Sequence, residues 1–186
     1  SAYTLGRMAY TLGDLGQFDE AYAKFDESLH LLGDKLHSVR ASVRELMCVV
    51  YLWQGRWTEA QEAGFEGSDI ALRCRSRYLT AMGRALGACG AWAMKQDLAS
   101  FNLLHESTQW IDARGGAVST SLNHGWLVDA SVTLGMEREA RQHAEEILVV
   151  AAPPDLQHIA ARLRLERRSG LGLDQRQDPR GRRGCG

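Results

Sequence analysis

Apolar residues recur along this chain at spacings of three and four positions, whereas the strict alternation typical of β-strands is hard to find. Four segments repeat one pattern, in which an apolar-periodic run ends, a few turn residues follow and a second run begins. These segments are residues 13–25, 52–65, 93–104 and 133–144. The pattern predicts an all-α chain built from helical hairpins.

The four segments share a register. A small residue stands in the first turn of each second helix, at spacings of 39, 40 and 40 residues: Ala21, Ala60, Ser100 and Ala140. The antiparallel helices of a hairpin approach each other closely there, so a larger side chain would push them apart. Sequence periods of about 20 to 50 residues are typical of solenoids, and this spacing predicts one here.

Three of the four turns carry a glycine where the first helix must end: Gly16, Gly55 and Gly135. Such a position is often left-handed, a conformation that costs glycine little. The third turn lacks the glycine, and Asp97 is expected to cap the helix that follows it. In the second turn, Thr58 and Gln61 fit a capping box for the second helix.

A turn glycine, an aromatic residue two positions later and a small residue three positions after that resemble the tetratricopeptide repeat (TPR). The first two units match best, with Gly16, Phe18 and Ala21, then Gly55, Trp57 and Ala60. The resemblance covers residues 1–168 and implies a right-handed superhelical solenoid of about four hairpins. The apolar spacing in residues 155–168 predicts one more, terminal helix, which either caps the array or is the first helix of a truncated fifth unit. Residues 169–186 are rich in Gly and Arg without apolar periodicity, so disorder is predicted there.

Three segments also resemble a particular group of helical-repeat regions: "ASVRELMCVVYLWQGRWTEA", "TQWIDARGG" and "SLNHGWLVDASVTLGMEREARQHAEEIL". They are similar to the repeats that follow the ATPase module in large bacterial signalling proteins with class III cyclase or LuxR-type effector domains. The similarity implies a regulatory scaffold that senses a partner, and no catalytic residue.

In TPR proteins the first helix of each hairpin lines a concave groove, and the resemblance therefore implies a set of partner-binding residues. They are Tyr10, Glu45, Trp53, Trp92, Trp126 and Asp129. The aromatic members would form a stripe that suits an apolar helix or extended segment of a protein or peptide. The alternative is that the tryptophans pack between helix layers.

Composition narrows the class of partner. The chain has 22 Lys plus Arg and 23 Asp plus Glu, so no net field favours nucleic acid or an anionic membrane. The longest apolar run, residues 147–154, is far shorter than the roughly 20 residues of a membrane span. The four cysteines form no CxxC pair, and a reducing, cytoplasmic setting is the simplest interpretation.

Sequence motifs for chemistry are missing. The six histidines have no metal-ligand spacing, and we expect them at the surface or at helix caps. No nucleophile motif or phosphate loop is present, and neither a metal nor a cofactor is expected. Gly83, Gly87 and Gly90 are expected to let neighbouring helices approach. An arginine cluster is either a solvated linker or a contact for an anion: Arg73, Arg75, Arg77 and Arg84.

Two alternatives to a partner-binding groove stay open. The chain could associate with itself as a homo-oligomer, because the end of a repeat array exposes apolar surface that can pair about a two-fold axis. It could also be an enzyme with a cryptic site, which would require titratable groups to converge around His124, Asp129 and the arginines.

Overall fold

The computed structural model describes residues 1–116 and 120–151, and within them the chain forms α-helices and no β-strand, which confirms the all-α prediction. None of the described helices is both long and apolar enough to span a membrane. The predicted terminal helix at 155–168 and the tail at 169–186 lie outside the described residues. The helices are α1 (Ala2–Asp14), α2 (Phe18–Leu32), α3 (Ser38–Trp53), α4 (Trp57–Arg73), α5 (Arg77–Lys95), α6 (Leu98–Asp112), α7 (Ser121–Thr133) and α8 (Glu137–Ala151).

The helices pair in chain order. Each first helix packs on the second helix of its own hairpin, as α1 on α2 and α7 on α8. The first helices also contact one another in the order α1, α3, α5 and α7. The four first helices therefore form one continuous row, and α5 lies between α3 and α7 within it.

The glycine turns have the predicted conformation. Gly16, Gly55 and Gly135 have φ values of +77°, +72° and +71°, all in the left-handed region. The amide that follows each glycine donates back to the preceding helix, as Arg56 does to the Tyr51 carbonyl at 3.0 Å. In the third turn Gln96 adopts φ +48° without being glycine.

One predicted helix cap is confirmed and one is wrong. The Asp97 carboxylate accepts a hydrogen bond from the Ser100 amide at 2.8 Å at the start of α6. The capping box at Thr58 does not form, because α4 begins at Trp57 and Thr58 is already helical. The N-cap residue is Arg56, whose side chain pairs with the Glu59 carboxylate at 2.8 Å instead.

The tightest helix contact joins α4 and α5 and confirms the prediction for the glycines of α5. A Cβ atom on Gly64 would lie 2.4 Å from the backbone nitrogen of Gly87. A Cβ atom on Gly83 would lie 2.7 Å from the Gly64 carbonyl oxygen, and one on Gly90 would lie 2.7 Å from the Gln61 nitrogen. Backbone thus meets backbone along this seam, and no side chain fits between the two helices.

The small residues that define the repeat are buried in all four hairpins: Ala21, Ala60, Ser100 and Ala140. The principal apolar core lies around α3, α4, α5 and α6 and extends to Leu127 and Ala130 of α7. A second cluster joins α1, α2 and α3: Ala9, Phe25, Val43, Met47 and Val50. The row of first helices therefore rests on two apolar clusters that share α3.

Candidate partner-binding surface

An aromatic pair lies on the row of first helices. The Tyr10 ring of α1 and the Trp53 ring of α3 have their centroids 5.0 Å apart and are inclined at 52°. Trp53 is 37% exposed and Tyr10 is half-buried. The Arg7 guanidinium lies 5.3 Å above the Tyr10 ring. The structure thus brings together two predicted site residues from neighbouring hairpins, with part of their surface accessible.

Trp92 has no accessible surface. Its side chain is fully buried, and its indole Nε1 donates a hydrogen bond to Asp129 Oδ2 at 3.1 Å. For this residue the alternative of core packing holds. Trp92 lies on α5 and Asp129 on α7, so this hydrogen bond joins the two helices. This contact gives Asp129 a structural role in addition to the partner contact predicted for it.

Trp126 lies at the other end of the row. Its ring meets the Trp57 ring edge-to-face, with centroids 5.7 Å apart, and the side chain is half-buried. Because α5 lies between α3 and α7, the buried Trp92 interrupts the predicted stripe. The accessible members of the predicted stripe are therefore separated, with Tyr10 and Trp53 paired at one end and Trp126 against Trp57 at the other.

Glu45 lies inside the helix packing. It is 6% exposed, and its Oε1 has no hydrogen-bond partner. A Cβ atom on Gly67 would lie 3.3 Å from the Glu45 Cγ, so the side chain packs against α4. Burial raises the pKa of this carboxyl well above its usual value of 4.5. The Glu45 carboxyl, which was predicted to contact a partner, therefore lies inside the helix packing.

Two histidines contradict the expectation of surface or capping roles. His124 of α7 and His143 of α8 are buried, with their Nδ1 atoms 3.1 Å apart. The His124 Nε2 lies 3.0 Å from Asp112 Oδ2 of α6. Metal-ligand motifs are recognised within one helix or loop, and these residues come from three helices. No local signal in the sequence could have joined them.

The predicted arginine cluster is exposed at the end of α4 and the start of α5. Arg73 also lines a cleft of about 590 Å³ beside α4, where acidic and basic side chains alternate. Its other charged lining residues are Asp34, Lys35, Arg40, Glu62, Glu66 and Asp69. The mixture of signs gives the cleft no preference for an anion, and the exposed arginines fit the solvated-linker alternative.

Two of the three cysteines in the described part of the chain are packing residues, and the third, Cys74, is partly buried. Within 1–116 and 120–151, no set of three or more His, Cys, Asp or Glu is arranged to hold a metal ion. The thiols of Cys48 and Cys89 are buried, and burial raises the pKa of both. A buried thiol with a raised pKa is a poor nucleophile.

Comparison of the chain with protein-family models, with curated proteins and with solved structures gives no match. The TPR resemblance and the signalling context therefore stay predictions. Function has to be argued from the surface residues themselves.

Proposed function

We propose that this chain is a non-enzymatic interaction module that binds an apolar segment of a protein partner on the row of first helices. In this proposal the four hairpins stack as a TPR-like right-handed solenoid with a period of about 40 residues. The chain-order contacts of the hairpins and the left-handed glycine turns support that architecture.

The Tyr10–Trp53 pair is the observation that carries the proposal. Rigid aromatic side chains give a partner a large contact area and lose little conformational entropy on binding. Trp53 keeps 37% of its surface accessible although it packs against Tyr10, and the Arg7 cation borders the pair. An apolar helix or extended peptide, with an acidic residue placed to meet Arg7, has the matching chemistry.

The wider biological role follows the resemblance to bacterial signalling proteins. A repeat module of this kind would act as a scaffold or regulatory segment. Binding of a partner to it would regulate an ATPase or effector domain. Burial of a partner's apolar face would be its mechanism, and no chemical step is required of its residues.

The test compares two double variants in a pull-down from a lysate of the source organism. Tyr10→Ala/Trp53→Ala removes the aromatic pair. Leu31→Ala/Leu72→Ala removes two exposed side chains of the second helices, which are 62% and 58% exposed, and serves as the matched control. We expect a partner retained by the wild type and the control to lose affinity for the aromatic variant by at least about tenfold, as at a binding hot spot.

The purified partner is then titrated against all three proteins, whose helicity is checked by circular dichroism. Equal affinity for the aromatic variant and the control would contradict a binding site at Tyr10–Trp53.

Self-association is a second candidate because α1 exposes apolar residues. Met8 and Leu15 are 48% and 68% exposed. Met8 lies in α1 and Leu15 is its C-cap residue, seven positions later and therefore near the same side of the helix. Among the described helices, α1 is contacted by α2 and α3. A second copy could cover the exposed side in a two-fold pair.

A further inference from the structure

Polar side chains are buried on the helices that meet around the α7–α8 hairpin and α6. They include Thr108, Asn123, His124, Ser131 and His143. Thr108 Oγ1, the Asn123 amide and Ser131 Oγ have no hydrogen-bond partner among the described residues, whereas His124 contacts both His143 and Asp112. His124 therefore supplies a polar contact at the junction between this hairpin and α6.

His124 is at the centre of this junction. Its Nε2 faces Asp112 Oδ2 at 3.0 Å, and the other oxygen of that carboxylate accepts a hydrogen bond from Thr120 Oγ1 at 2.6 Å. A carboxylate only accepts, so the His124 Nε2 carries a hydrogen. In the neutral ring Nδ1 is then an acceptor, and the His143 Nδ1 donates to it across 3.1 Å.

Protonation of His143 places a positive charge inside this junction. The His143 ring is buried, with its Nδ1 3.1 Å from the His124 Nδ1 and its centroid 5.4 Å from that of the His105 ring. Water cannot screen the charge there as it would at the surface.

A third histidine, His105, lies beside the His124–His143 pair. His105 of α6 meets the His143 ring edge-to-face, with centroids 5.4 Å apart. It stacks on Phe101 of its own helix and contacts the Gln109 amide. The three histidines thus connect three helices, because His143 of α8 contacts both His105 of α6 and His124 of α7.

The carboxylates around the histidines favour protonation, but too weakly to cancel the opposing effect of burial. Glu106 of α6 and Glu139 of α8 act on His105, and Asp112 of α6 acts on His143. Glu146 is buried on α8, one turn beyond His143. Burial, together with His124 and His105, nevertheless lowers the pKa of His143 to about 4. Burial also lowers the pKa of His105.

We propose that His105, His124 and His143 form a pH-sensitive latch, which holds the α7–α8 hairpin against α6 near neutral pH and releases it when His143 and His105 take up protons in mildly acidic solution. Release would break the Trp92–Asp129 hydrogen bond and separate Trp126 from Trp57. The row of first helices would then lose α7.

The direction of the pH effect follows from proton linkage. The His143 pKa is about 4 in the closed junction and near its usual 6.5 once the ring is in water. Protons therefore bind more tightly to the released state. The latch is fully closed above pH 6.5 and is lost as the pH falls from there toward 4.

The experiment is hydrogen–deuterium exchange of the full 186-residue chain at about pH 7.5 and about pH 5, with each rate divided by its intrinsic value at that pH. We expect protection of α7 and α8 to fall at least about tenfold more than that of α3 to α5, since His143 alone shifts the latch by roughly thirtyfold at that acidic pH. An equal fall throughout the chain would overturn the proposal.

Variants identify the groups responsible. His143→Gln and the milder His105→Gln are expected to reduce the pH dependence of α7–α8 protection, whereas His30→Gln, at an exposed position of α2, leaves it unchanged. Should His143→Gln fail to fold, the wild-type comparison and His105→Gln still decide the matter. A full pH response in both cluster variants would contradict the latch.

Discussion

At the scale of single residues, burial rather than sequence position decides what an ionisable side chain can do. Glu45 and Asp129 were both expected to face a partner. Glu45 instead lies buried between helices with an unpaired Oε1, whereas Asp129 stays exposed while it accepts the indole hydrogen of Trp92. A buried carboxyl without a partner is unfavourable when ionised, so Glu45 is expected to cost stability at neutral pH.

Glu45 should make the stability of the protein fall as the pH rises. Its pKa is higher in the folded chain than the usual 4.5, so the folded state holds the proton more tightly. The contribution of Glu45 to the free energy of unfolding is then most favourable below pH 4.5 and decreases as the pH rises through the folded pKa. The Gln side chain of Glu45→Gln stays uncharged. At neutral pH we therefore expect the free energy of unfolding of this variant to exceed that of the wild type by at least about 1 kcal/mol.

Urea denaturation of both proteins over a series of pH values measures this difference. Glu62→Gln, at an exposed position of α4, is the control and should follow the wild type. A constant difference between Glu45→Gln and the wild type at all pH values would show that the carboxyl does not titrate as expected.

At the scale of helices, the α4–α5 seam requires glycine at position 64. The Gly64 Cα faces the Gly87 backbone too closely for a side chain. Gly125 of α7 is different, because a Cβ atom there would meet nothing within 4 Å. Substitutions at Gly64 and Gly125 therefore distinguish two effects on stability: a steric clash between helices, and the low helix propensity of glycine.

Alanine at these two glycines should change stability in opposite directions. Gly64→Ala places a methyl group 2.4 Å from the Gly87 nitrogen and forces the helices apart, so a loss of roughly 2 kcal/mol or more is expected. Gly125→Ala improves helix propensity without a clash and should stabilise the chain by about 0.5 to 1 kcal/mol. Thermal and urea unfolding measure both, and a stable Gly64→Ala would show that the seam can open at little cost.

At the scale of the whole molecule, four hairpins in chain order leave both the row of first helices and the free side of α1 available for contacts. The Tyr10–Trp53 pair lies on the row, whereas Met8 and Leu15 are exposed on α1. Partner binding and self-association therefore involve different side chains and can be separated by substitution.

Self-association through α1 predicts a mass that rises with protein concentration in sedimentation velocity. Met8→Lys/Leu15→Lys should keep the chain monomeric, because burying two charged side chains opposes pairing. Leu72→Lys, at a position 58% exposed on α4, is the control and should sediment as the wild type does. If the wild type is monomeric at every concentration tested, this candidate is wrong.

The sequence by itself determined the helices, the turns and the spacing of the hairpins. These features depend on neighbours in the chain: apolar periodicity selects helix, and glycine permits the left-handed turns at Gly16, Gly55 and Gly135. The Asp97 cap was predictable because its partner is three residues away. The Thr58 cap was not, because the helix begins one residue before it.

Only the tertiary structure decided which side chains are accessible and which distant residues meet. Tyr10 and Trp53 come together, Trp92 is enclosed, and His124 meets His143 although each lies in a locally unremarkable helix. Periodicity tells which side of a helix is apolar, but burial of one tryptophan depends on how closely neighbouring helices approach. That approach is set by packing across the whole row, and no single segment of sequence contains it.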